Sequence, residues 1–209
     1  MSDQAQNFVY DPEPMNYPLQ LSFKIMALAS QIYVRDSSGS EICYVKQKMF
    51  KLKEAVQVFT DSTRSKELCE IKADSIIDFS ATYSFFDTQG RTFGAVRRKG
   101  MRSLWKAHYQ ITQGSSVEFE VNEENGWIKV LDGLIGEIPL VGILSGYFLH
   151  PTYVATRSGD GTPVMRVTKV PAFWEGRFKI EKLADIDERE ELNLLMGFMM
   201  MLLLERRRG

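Results

Sequence analysis

From Leu19 onward the chain alternates polar and apolar residues with a period of two. Leu21, Phe23 and Ile25 alternate with Ser22 and Lys24. Trp105, Ala107, Tyr109 and Ile111 alternate with Lys106, His108 and Gln110, and Val117, Phe119 and Val121 with Glu118 and Glu120. Successive side chains of a strand point to opposite faces, so each run predicts a strand with one dry face and one wet face. Strand-like runs fall near 20–26, 31–35, 41–48, 55–60, 67–74, 82–86, 92–98, 104–111, 116–122, 152–157, 163–169 and 176–182, about twelve in all.

A weak internal repeat runs through them. IYVRDSSGSEICYVKQK, VQVFTDSTRSKELCEIKAD, YSFFDTQGRTFGAVRRK and YVATRSGDGTPVMRVTK each read as strand, polar turn and second strand, often with a basic end. The copies pivot on Asp, Ser and usually Gly residues, which suit tight hairpin turns.

Alternation stops in two places. Over 123–151, WIKVLDGLIGEIPLVGILSGYFLH predicts short helices or an apolar loop that closes one end of the fold. Gly133, Gly136, Gly142 and Gly146 also make this insertion a candidate protein-partner contact, because glycines let another surface approach closely. Over 188–207, a helix is predicted whose stretch from Leu192 to Leu204 carries Asn193 as its one polar residue. With no polar face, that helix requires burial on all sides. Asp187 suits its N-cap, Glu188, Glu190 and Glu191 its first turn, and Arg206, Arg207 and Arg208 its negative end. Its clean apolar run gives roughly 20 Å at the helical rise, short of the ~30 Å hydrocarbon core of a bilayer.

The two halves of the pattern require each other. Eight strands make a barrel that side chains already fill, whereas about eleven or twelve leave room for a helix of ~10 Å diameter. The expected fold is therefore mainly β, a closed antiparallel barrel of about twelve strands around a buried hydrophobic C-terminal helix. Residues 19–209 form a single barrel domain in this reading, and 1–18, with three prolines and no periodicity, a flexible N-terminal arm.

Composition narrows the chemistry. With 26 basic and 27 acidic residues, the chain has no overall field to draw nucleic acid, and none is expected as a partner. Cys43 and Cys69 lack metal-ligand spacing and no signal peptide is recognisable, so free buried thiols and a cytoplasmic location are expected, with peripheral membrane attachment as its variant.

The order of these features resembles the superfamily of tubby C-terminal domains, phospholipid scramblases and LURP-one-related proteins, above all its bacterial scramblase-related and LURP-one-related members. The resemblance rests on YVKQKMFKLKEAVQVFTD and on the closing FKIEKLADIDEREELNLLMGFMMMLLLERR. It implies a twelve-stranded barrel around a hydrophobic C-terminal helix. Tubby domains bind phosphoinositide head groups through alternating basic residues, a spacing matched here by Lys46 and Lys48 and by Arg97 and Lys99, with Arg98, Arg102 and Lys106 adding charge. The competing reading of these cations is that they only solvate the barrel wall. Eukaryotic scramblases carry a calcium-binding segment before the final helix. IEKLADID resembles its latter half through Asp185 and Asp187, but too few oxygen ligands remain for a six- to eight-coordinate site, and no metal or cofactor is expected.

Catalytic signatures are missing. His108 and His150 stand apart from carboxylate or cysteine partners, HExxH and GxSxG do not occur, and SGDGTP lies between two strands rather than before a helix. Tyr83, Phe85, Trp105 and Phe119 fall on the inward phase and predict core packing. The functional expectation is a non-enzymatic binding or adaptor module for an anionic phospholipid head group, a membrane surface or a phosphorylated ligand. The alternatives are a scramblase-like protein that exposes its terminal helix and an enzyme with a site at the barrel mouth.

Overall fold

The computed structural model describes residues 14–26, 29–48, 55–74, 81–99, 108–114, 116–124, 152–172 and 176–206. Its strands are β1 (Leu19–Met26), β2 (Ala29–Arg35), β3 (Glu41–Lys48), β4 (Val56–Phe59), β5 (Glu67–Ala73), β6 (Thr82–Phe86), β7 (Thr92–Arg98), β8 (His108–Gln113), β9 (Ser116–Glu123), β10 (Thr152–Arg157), β11 (Pro163–Val170) and β12 (Gly176–Lys182). One helix follows, α1 (Glu188–Arg206). Each strand pairs antiparallel with the next, and β1 pairs with β12 to close the barrel. Leu19 faces Ile180 and Leu21 faces Phe178 across that closing seam.

The four repeat copies are the hairpins β2–β3, β4–β5, β6–β7 and β10–β11. Each carries a register shift next to its turn. Asp36, Asp61, Asp87 and Asp160 organise those turns by accepting backbone N–H bonds from residues two ahead, Ser38, Thr63, Gln89 and Thr162. Hydrogen bonding holds these carboxylates below their ordinary range, with Ser38 and Asn16 taking Asp36 to about 2.

The bulge at Ile111/Thr112 in the β8–β9 hairpin corrects one expectation. Ile111 faces Phe119 with both buried, but beyond the shift Thr112 faces Val117. Val117 is turned outward and 36% exposed, although simple alternation places it inside. An extra residue in one strand inverts the phase of everything past it.

Core residues from every strand surround α1, which is buried from Glu190 to Leu203. The helix lies nearest β7, then β8 and β6. Two glycines allow this approach. A Cβ at Gly94 of β7 would sit 2.5 Å from the Cγ of Asn193, and one at Gly197 of α1 would sit 2.9 Å from the Cγ1 of Ile111. No helix among the described residues is long and apolar enough to cross a membrane.

The arm expected over 1–18 is fastened at its inner end. Asn16 Nδ2 donates to Asp36 at 2.9 Å, the backbone N–H of Ser37 donates to the Asn16 carbonyl, and Met15 and Tyr17 pack against the core.

Candidate functional site

The helix fills the barrel, so the groups free for ligands are those of the wall and the two ends. On the wall, the last two residues of β7 and the one after it are three consecutive cations that do not share a face. Arg97 and Lys99 are exposed on the outer phase. Arg98 follows Val96 to the inside, where its side chain is 11% exposed and its Nε lies 3.8 Å from Glu205 near the end of α1. Alternation from the buried Val96 is the signal that places it there. Arg97 faces neutral neighbours, Thr82 on β6 and Gln110 on β8. The Lys99 backbone N–H donates to the His108 carbonyl at 2.9 Å, extending the ladder one residue past β7. Among the described residues, no ion pair engages Arg97 or Lys99.

Lys46 on β3 is likewise exposed on the outer face, opposite Gln31 of β2, and Lys48 follows on the same phase of the strand opposite Ala29. Four interstrand steps separate β3 from β7, about 19 Å of sheet, so the structure sets Lys46 and Arg97 on two separate patches. The Lys48 side chain, Arg102, Lys106, Trp105 and the partner surface expected over 125–151 lie outside the described residues.

Asp187 is committed to capping. Its Oδ1 accepts the Glu190 N–H at 2.8 Å, and the Asp187 N–H donates to the Glu190 carboxylate at 3.0 Å, a reciprocal capping box. Glu190 also receives both terminal nitrogens of Arg157, at 2.5 and 3.0 Å. That fork lowers the Glu190 carboxyl below its usual range and raises the Arg157 guanidinium. Asp185 offers its backbone carbonyl to Arg157 at 3.4 Å. Among the described residues, no three His, Cys, Asp or Glu side chains converge as metal ligands.

At the other end of α1, the Tyr109 hydroxyl donates to Glu205, and Tyr153 stands close enough that burial, Glu123 and Glu205 push its hydroxyl up to about 12. Arg206 lies 5.2 Å over the ring of Phe23. These groups tie the helix end to β1, β7 and β8. In the core, Cys69 Sγ donates to Met196 Sδ at 3.5 Å, and burial pushes the Cys43 thiol up to about 12, so both thiols are inert packing groups. The sequence pattern places Tyr109 on the dry face of its strand without marking its hydroxyl, and it does not single out Gly94 or Glu205. A lone glycine inside a strand marks a close approach, and a glutamate closing an apolar helix is its own signal.

A family model described as LURP-one-related matches residues 41–170, from β3 through β11. A protein of Arabidopsis thaliana, solved by X-ray crystallography, shares the fold with a TM-score of 0.50 at 11% identity, over 93% of this chain and 94% of that one. No curated protein matches the sequence.

Proposed function

The chain belongs to the LURP-one-related family, and from that premise we propose that it is a non-enzymatic binding module that takes an anionic group on the outer wall of its barrel. The observation that carries this reading is the exposed pair Arg97 and Lys99, set among neutral cross-strand neighbours while Arg98 is spent on Glu205. Wide barrels often hold ligands inside. Here Leu192 to Met201 occupy that space at no more than 1% exposure, leaving recognition to the wall. Exposed ammonium and guanidinium groups without carboxylate partners make charge-assisted bonds to phosphate oxygens. The ligand class is an anionic lipid head group or a phosphorylated soluble molecule, met by a cytoplasmic protein that attaches peripherally to membrane.

Co-sedimentation with phosphatidylcholine vesicles, with and without phosphoinositide, tests this. Retention that requires the anionic lipid, weakens with salt and is lost in Arg97→Glu/Lys99→Glu is the expected result. Equal behaviour on both vesicle types, together with no heat of binding to soluble phosphates, overturns it.

A further inference from the structure

A second donor constellation lies on the outer face of β1–β3. Lys24 of β1 faces Gln31 of β2, and Gln31 faces Lys46 of β3, so the three side chains form one row across the sheet. Lys24 and Lys46 are both exposed. Two interstrand steps put their backbones about 10 Å apart, a gap that two lysine stems close by leaning inward.

Gln31 between them is oriented. Its Oε1 accepts the Tyr33 hydroxyl at 3.0 Å, which leaves the two N–H donors of its amide for another partner. The Tyr33 ring also holds the cations, with Lys24 Nζ 5.2 Å and Arg35 5.0 Å from its centroid, and it leans on Tyr44 with centroids 4.9 Å apart. The Glu41 carboxylate lies close enough to this ring system to act on Tyr44. It is occupied by Arg35 at 2.7 Å and by the Ser62 N–H at 2.8 Å. Among the described residues, no ion pair engages Lys24 or Lys46. Two ammonium groups and an amide whose oxygen is already occupied, beside an aromatic pair, make a surface rich in donors.

We infer that Lys24, Gln31 and Lys46 form a binding site for a phosphate-type oxyanion, with Tyr33 as the positioning residue that sets the polarity of the Gln31 amide. The inference rests on the anion-binding reading above and adds a second contact on β1–β3, four interstrand steps from the pair at the end of β7. Lipid head groups and free phosphorylated molecules present the same oxygens.

The test compares two charge-matched variants of the full chain, Lys24→Ala/Lys46→Ala and Arg97→Ala/Lys99→Ala, using vesicles with and without phosphatidylinositol phosphate and, separately, calorimetry with pyrophosphate. The β1–β3 variant is expected to lose about fivefold per lysine, some 25-fold together, while the β7 variant loses less. Tyr33→Phe keeps ring and charge but releases Gln31, and is expected to weaken binding about threefold in salt that screens long-range attraction. Binding by vesicles and pyrophosphate alike identifies the oxyanion itself as the determinant, and binding by vesicles alone identifies the membrane as its source. Loss confined to the β7 variant, or no effect of Tyr33→Phe and Gln31→Leu, overturns the β1–β3 site and leaves the anion-binding reading standing. No binding of either probe by the unaltered protein overturns both. Circular dichroism of each variant separates lost binding from lost folding.

Discussion

Asn193 of α1 occupies the space that a side chain at Gly94 of β7 would need. Asn193 is fully buried, its Nδ2 donates to the Thr112 carbonyl at 3.1 Å, and a Cβ at 94 would overlap its amide group. Thr112 sits at the β8 bulge, where the ladder is interrupted. A helix that is apolar all round carries no rotational preference of its own. This one polar contact and the glycine opposite it supply one.

Gly94→Ala therefore reverses the usual sign. Alanine in place of a strand glycine ordinarily stabilises by about 0.5–1 kcal/mol, but here it is expected to destabilise by about 1–3 kcal/mol through overpacking. In an Asn193→Ala background most of that cost disappears, giving a coupling of at least about 1 kcal/mol in a double-mutant cycle measured by urea unfolding. Additive effects would show that the two residues do not meet.

Removal of α1 leaves the barrel without its filling. A chain ending at Asp187 is expected to be unfolded by circular dichroism and to lack dispersed amide resonances. Met200→Asp, which puts a carboxylate at a site with 0% exposure, is expected to do the same. A well-dispersed spectrum from the truncated chain would contradict the helix-in-barrel core.

Acid weakens the protein in a defined window. The carboxyls of Asp36, Glu190, Glu41 and Asp87 are all lowered by folding, the first of them from 3.8 to about 2. The unfolded chain then binds more protons than the folded one, so their stabilisation is complete above the ordinary carboxylate range and is lost as pH falls through the folded values. Urea midpoints are expected to be flat from neutrality down to about pH 5 and to fall steeply below about pH 4. Asp36→Asn is expected to flatten part of that acid branch, and an unchanged slope would remove the Asp36 turn from the account.

Cys43 and Cys69, both buried and with raised thiols, are expected to be silent towards a thiol-reactive chromogen in the native state. Both should react when the chain is unfolded in guanidinium. Rapid labelling of the native protein would place at least one of them at the surface.

The sequence by itself determined the inventory and its logic. Strand positions follow from a period of two, turns from Asp, Ser and Gly, and the helix with its Asp187 cap from an unbroken apolar run. The barrel follows from the need of α1 for a wall. These signals are local, set by residues a few positions apart. What the tertiary structure decided depends on residues far apart in the chain. Five hairpin bulges reset strand phase, turning Val117 outward. Strand order sets Lys46 four interstrand steps from Arg97, and register brings Lys24 into one row with Gln31 and Lys46. The lean of α1 toward β7 rests on Gly94 and Asn193, which are 99 positions apart in the chain. Hydrophobic periodicity tells each segment which side is dry. Only cross-strand register and side-chain fit tell it which other residues it meets there.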